Sequence, residues 1–133
     1  QNAMCSRCHR KGSEGYPIGP DLTHVARRFD RTTLLTEILA PSQTIAENYQ
    51  TTVLKLTDNR TLAGQVVPNL DYREPTLQLA ENPLHPDKLT KIQKSEILSQ
   101  SHAPNSLMPQ GLLNLFTKDE VLNLLAWLEA PSN

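Results

Sequence analysis

The feature that most constrains this 133-residue chain is a five-residue motif near its beginning, Cys5-Ser6-Arg7-Cys8-His9. The chain has two cysteines, and both belong to this motif. A small secreted domain held together by disulfides would distribute its cysteines along the sequence. A chain of this length buries enough apolar surface to fold without such cross-links. We therefore expect the two cysteines to serve chemistry and not to cross-link the fold.

Two cysteines at this spacing can each form a thioether with a vinyl group of haem, and the histidine that follows them then lies under the iron. The motif thus predicts haem c attached through Cys5 and Cys8, with His9 as an axial ligand of the iron. A thioredoxin-like redox pair, half of a zinc site and a chance occurrence are the alternatives. A thioredoxin pair would follow a strand, for which four residues leave no room. A zinc site would need further ligands, for which the other three histidines are the candidates.

The segment Gly19-Pro20-Asp21-Leu22 lies about ten residues after His9. A histidine that binds a metal usually donates its second ring nitrogen to a hydrogen-bond acceptor, which fixes the orientation of the ring. The carbonyl group of Pro20 can be that acceptor. On its own, the segment could equally be an ordinary Gly-Pro turn.

A late segment, Ser106-Leu107-Met108-Pro109-Gln110-Gly111, offers a sixth ligand for the iron. A thioether is a neutral ligand that favours ferrous iron and raises the reduction potential. Met4, the other methionine, is too close to Cys5 to reach the opposite face of a haem. The sequence therefore predicts Met108 as the second axial ligand, and His102 is the alternative.

The apolar spacing predicts helices at both ends of the chain and strands between them. A short helix is predicted over residues 21–28, and a clearer one runs from Asp30 to the proline at position 41. A capping box of Thr117 and Glu120 predicts the start of a last helix. The β-rich block covers residues 49–98 and holds three or four predicted strands, namely those at 49–56, 61–67, 76–80 and 89–97.

Three segments, CxxCH, GPxL and MP before a last helix, resemble class I cytochromes c. A longer run is similar to the haem-binding domains of planctomycete-type bacteria: CSRCHRKGSEGYPIGPDLTHVARRF, LLTEILAPSQTIAENYQ and SLMPQGLLNLFTKDEVLNLLAWL. The resemblance implies an α+β fold, in which a class I cytochrome c-like helical haem domain carries an inserted antiparallel β block. It implies a single cytochrome c domain over residues 1–133. The cofactor-binding residues that it implies are Cys5, Cys8, His9, Pro20, Leu22 and Met108.

The same resemblance implies an electron-transfer module that is not itself an enzyme. It would end a larger exported protein, outside the cytoplasm, and accept electrons from a fused or partner dehydrogenase for a downstream electron carrier. Because Gln1 is four residues from Cys5, we expect the chain to be a piece of such a protein. A haem-based sensor with a displaceable sixth ligand is the alternative function.

Charge and hydropathy argue against two other kinds of partner, nucleic acid and a membrane spanned by this chain. The formal net charge of −1 does not suit a nucleic-acid binder. No apolar run approaches the length of a membrane span in this chain. We expect the basic residues Arg7, Arg10 and Lys11 to flank the exposed edge of the haem and to attract a redox partner in a salt-dependent way.

Overall fold

The computed structural model describes residues 4–132, which form two compact units. The first unit consists of the residues up to Ile45 together with those from Met108 onward. The second unit is Ala46–Leu107. Among the described residues, no helix is both long and apolar enough to cross a membrane. The helices and strands are β1 (Arg10–Lys11), β2 (Glu14–Gly15), α1 (Arg31–Leu39), β3 (Thr52–Leu56), β4 (Thr61–Val67), β5 (Thr76–Ala80), β6 (Leu89–Gln93), β7 (Ile97–His102) and α2 (Lys118–Glu129).

Both α-helices of the first unit begin at a side-chain cap. The carboxylate of Asp30 accepts a hydrogen bond from the amide of Thr33 at 2.8 Å and starts α1. Thr117 and Glu120 form the predicted capping box at the start of α2. These caps occupy amide groups that a helix leaves without a partner in its first turn, so the predicted helix starts are confirmed.

The core of the first unit is small and joins the two helices. Five buried apolar side chains form it, namely Val25, Leu34, Leu124, Leu125 and Leu128. Cys5 and Leu22 pack against this cluster. An exposed ion pair with two hydrogen bonds, from Arg31 to Glu129 at 2.9 and 2.5 Å, links the start of α1 to the end of α2.

The second unit contains an antiparallel sheet with the strand order β6-β5-β4-β3-β7. Its two edge strands follow each other in the chain and are separated only by a 3₁₀ turn, Lys94–Glu96. Four strand spacings of about 4.8 Å amount to roughly 19 Å, whereas four residue steps span about 14 Å at most. The sheet must therefore curl until its edges approach each other.

Strand β4 changes its pairing partner partway along its length. Its first residues pair with β3 and its last residues pair with β5, and Gly64 lies at the change. A Cβ at Gly64 would clash with the carbonyl oxygen of Ala80 and lie 2.9 Å from Cα of Glu81. Glycine is needed here because two backbone segments approach each other closely.

The predicted fold class is wrong. The largest element of the described residues is the five-stranded antiparallel sheet, accompanied by a two-stranded sheet and only two α-helices, and this is not a class I cytochrome fold with an inserted block. The helix predicted over residues 21–28 is a single 3₁₀ turn, Val25–Arg27. The motifs that suggested the fold are local and specify loops, whereas helix formation needs an extended apolar stripe, which the described chain has in two segments.

The strand predictions are confirmed in part. The strands predicted at 49–56 and 61–67 form as β3 and β4 and pair as a hairpin, whose turn holds Asn59 in the left-handed conformation at φ 68°. The strand predicted over residues 89–97 is instead two strands, β6 and the start of β7, joined by the 3₁₀ turn. β7 then continues to His102, beyond the predicted end of the block.

Candidate functional site

The five-residue motif forms one tight turn. Cys5–Arg7 is a 3₁₀ helix, and the carbonyl oxygen of Cys5 accepts hydrogen bonds from the amides of Cys8 at 3.1 Å and His9 at 2.8 Å. Residues three apart on such a turn lie on the same side of it. The turn therefore presents two thiols on one side and carries the imidazole directly after the second.

The two cysteines are free thiols in different surroundings. Cys5 is partly buried against the core of the first unit, and Cys8 is exposed. Burial raises the pKa of the Cys5 thiol, because the charged thiolate loses solvation, and the nearby Cys8 adds to the increase. Cys5 thus contributes to packing, while Cys8 is open to solvent.

His9 is held in a single orientation. Its Nδ1 lies 2.7 Å from the carbonyl oxygen of Pro20. A carbonyl oxygen only accepts hydrogen bonds, so Nδ1 carries the proton and the lone pair of the neutral ring is on Nε2. The contact expected between His9 and a proline carbonyl is confirmed, and the role of both residues in binding a cofactor stays a prediction.

Two glycines allow the chain to pass close to His9. A Cβ at Gly19 would lie 2.7 Å from Cε1 and 3.0 Å from Nδ1 of the imidazole, so only a residue without a side chain fits against the ring. A Cβ at Gly15 would clash with the carbonyl oxygen of His9, and this glycine has a φ of +90°. The imidazole is therefore enclosed by backbone on the side of the loop 15–20.

Backbone hydrogen bonds fix this loop to the motif. The carbonyl oxygen of Cys8 accepts from the amides of Ile18 at 3.0 Å and Gly19 at 2.6 Å. The amide of Leu22 donates to the carbonyl of Arg10 at 2.8 Å. The position of Leu22, which also packs against the core, is thereby tied to the strand that follows His9.

Asp21 stabilises the same loop. Its carboxylate accepts from the amide of Thr23 at 2.7 Å, and Arg10 lies 3.4 Å away. The hydrogen bonds from Thr23, and to a smaller extent Arg10, hold the pKa of Asp21 below its ordinary value of 3.8. A carboxylate with a lowered pKa in the folded state contributes stability above pH 3.8, and this contribution is lost as the pH falls through the folded-state value.

Replacing Asp21 with asparagine is therefore expected to lower the urea midpoint of the first unit at pH 7. The difference from the parent protein should shrink as the pH falls through the folded-state pKa of Asp21, because the carboxylate then becomes neutral in the parent protein as well. The fluorescence of Trp127, the single tryptophan, reports the transition. Glu14→Gln, at an exposed carboxylate in β2, is the control. A difference that persists unchanged at low pH would show that the charge of Asp21 is not the cause.

Met108 belongs to the same compact unit as His9. It is partly buried and lies in the irregular segment between β7 and α2. This segment turns at Gly111, which has a φ of +79°, and the amide of Asn114 donates to the Gly111 carbonyl. Leu113 anchors the segment to the core.

The other candidates from the sequence lie elsewhere. His24, His85 and His102 are exposed. Within residues 4–132, no three side chains of His, Cys, Asp or Glu are grouped so that they could hold a metal ion, so the described residues assemble no zinc site. Lys11 is buried, so its expected place on a docking surface is wrong; Arg7 and Arg10 are exposed.

The first unit also exposes many large apolar side chains around its small core. Among the described residues of this unit, the exposed ones are Met4, Tyr16, Phe29, Leu39, Leu115, Phe116 and Leu122. Scattered exposed apolar residues of this kind are normal on a protein surface. The two thiols and the oriented imidazole are the side chains that attachment of haem c would use.

Comparison of the chain with protein-family models gives no match, and comparison with curated protein sequences gives none either.

Proposed function

We propose that this chain is a c-type haem protein that transfers electrons. Cys5 and Cys8 would hold the haem through thioethers, and His9 and Met108 would ligate its iron. The proposal depends most on one observation: Nδ1 of His9, the residue directly after the second of two free thiols, donates to the Pro20 carbonyl at 2.7 Å. That hydrogen bond leaves the lone pair on Nε2, which is the atom that a ligating imidazole must offer.

When bound, haem supplies an iron that gains and loses one electron. The residues of the chain would attach this group, orient its ligands and set its reduction potential. The hydrogen bond to Pro20 fixes the imidazole and increases its basicity. The thioether of Met108 is a soft, neutral ligand that stabilises the ferrous state relative to an open or anionic position. Attachment through two side chains would hold the group on a unit whose own buried cluster has only five residues.

The surroundings of the site are consistent with a carrier. Electron transfer needs only weak and short-lived docking, for which a small surface is sufficient. Arg7 and Arg10 are exposed on either side of His9 in the chain, and they can attract an acidic partner. We propose that the chain accepts electrons from a fused or partner dehydrogenase and passes them to another carrier.

The family and the cellular location are part of the same proposal. In its motif and haem chemistry, the chain would belong with c-type cytochromes similar to the planctomycete-type haem-binding domains, although its described fold is not that of class I cytochromes. Its place would be outside the cytoplasm, as the resemblance to that group implies. A piece of a larger exported dehydrogenase-like protein would fit this location.

A visible spectrum of the ferric protein tests the ligand pair. Ligation by His9 and Met108 should give a low-spin spectrum with a weak far-red band from the bond between sulfur and iron. A high-spin spectrum would contradict the proposed ligand pair, because it would show an open sixth position. It would support the other candidate, a sensor that binds a small ligand at that position.

A further inference from the structure

Lys11 has no part in the proposed function, yet its side chain is buried and makes specific contacts. It lies in β1, two residues after His9, and is 7% exposed. Among residues 4–132, it is the one charged residue that is buried. Moving an ammonium group out of water is costly unless polar partners surround it.

The partners of Lys11 lie at the end of α2, more than a hundred residues away in sequence. Its Nζ donates to the carbonyl oxygen of Ala130 at 2.7 Å and to the hydroxyl of Ser132. It also lies 5.3 Å from the centre of the Trp127 ring, within range of a cation–π interaction. A helix leaves its last carbonyl groups unpaired and carries partial negative charge at that end, so a cation is favoured there.

This contact determines where the segment after His9 can lie. Two residues of extended chain reach about 7 Å, so His9 cannot move far from the anchored Lys11. β1 is fixed on its other side as well, because Arg10 pairs with Gly15, and Gly15 lies against the carbonyl of His9. Without the contact to α2, β1 would be held by its pairing with β2 and by two hydrogen bonds to the chain just after the loop, from the Leu22 amide to the Arg10 carbonyl and from the Gly12 amide to the Thr23 hydroxyl.

We propose that Lys11 is a positioning residue for His9. By anchoring β1 to the last turn of α2, it keeps the imidazole where Nδ1 donates to Pro20. The functional consequence rests on the proposed function, in which this orientation directs Nε2 to the iron. The positional effect itself is a property of the chain.

Hydrogen exchange measured by NMR on the folded protein, as purified with its haem, tests this proposal. Lys11→Met keeps the apolar stem and removes the charge and the donors. It should accelerate exchange of the His9 Nδ1 proton about tenfold, while the amide of buried Leu125 in α2 changes much less. Ser132→Ala removes one hydrogen-bond acceptor of Lys11 and should accelerate exchange of the His9 Nδ1 proton about threefold. Lys118→Met, at an exposed lysine in the first turn of α2, should leave both rates unchanged.

The other outcomes overturn the proposal. Equal acceleration at His9 and Leu125 would mean that Lys11 only stabilises the fold. Unchanged exchange at His9 would mean that the anchor does not act on the imidazole. If Lys11→Met does not fold, the Ser132→Ala variant tests the proposal through the same two exchange rates, those of the His9 Nδ1 proton and the Leu125 amide. A protein that carries no haem would contradict the proposed function and not this inference, because the hydrogen bond from His9 to Pro20 is measured in the same way.

Discussion

Replacement of Met108 with alanine is expected to leave haem attached and to open the sixth coordination position of the iron. An alanine methyl group cannot bind the metal, so the far-red band should disappear and carbon monoxide or cyanide should bind more readily. The reduction potential should fall by on the order of 100 mV, a fraction of the roughly 0.8 V over which axial ligands set haem potentials. Visible spectroscopy and a potentiometric titration check both effects.

Met4→Ala is the matched control for this substitution. Met4 is the other methionine of the chain and is exposed next to the motif, so its removal should change neither spectrum nor potential. If the Met108→Ala protein keeps the spectrum of the parent, Met108 is not the ligand. His102 would then be tested first, although it lies exposed at the end of β7 in the second unit.

Replacement of both Cys5 and Cys8 with alanine is expected to abolish covalent attachment of haem. Each single variant should retain one thioether and therefore a covalently bound group. Cys5→Ala should also reduce stability, because Cys5 packs against the buried cluster, whereas Cys8 is exposed. The mass of the denatured polypeptide reports attachment, and thermal unfolding reports stability.

Ser13→Ala, in an exposed turn of the same loop region, is the control for the cysteine variants. It should keep both the mass and the stability of the parent protein. Retention of covalently bound haem by the double variant would contradict thioether attachment at these two residues. Equal stability of the two single variants would contradict the structural difference between Cys5 and Cys8.

Local signals in the sequence were sufficient where a feature depends on neighbouring residues. Asp30 and Thr117 cap their helices through hydrogen bonds within one turn, and the sequence predicts both starts. The turn at Asn59 depends on a conformation that asparagine tolerates well. The contact from His9 to Pro20 could also be predicted from the sequence, because a ligating histidine needs a hydrogen-bond acceptor and the loop has a carbonyl oxygen at a suitable distance in sequence.

The fold class could not be obtained in this way, because it depends on how strands pair over long distances. The segment 89–97 is a plausible single strand by composition, and nothing local shows that it divides at the 3₁₀ turn Lys94–Glu96. That division places β6 and β7 on opposite edges of the five-stranded sheet. The three segments that resemble class I cytochromes c give no information about how these strands pair.

Lys11 shows the same limit at the level of one residue. A lysine in a charged, glycine-containing segment is expected on the surface, and its burial follows only from partners at the other end of the chain. The fit of Gly19 against the imidazole ring is likewise a tertiary contact, for which the sequence gives only the presence of glycine before proline.

One measurement tests the central claim most directly. The protein is expressed together with the machinery for haem attachment, beside a c-type cytochrome as positive control, then denatured in acid and extracted with an organic solvent. We expect haem to stay with the polypeptide, and the mass of the denatured chain to exceed that of its sequence by one haem group. Haem that passes into the solvent, or a chain without haem when the control is loaded, would contradict the account.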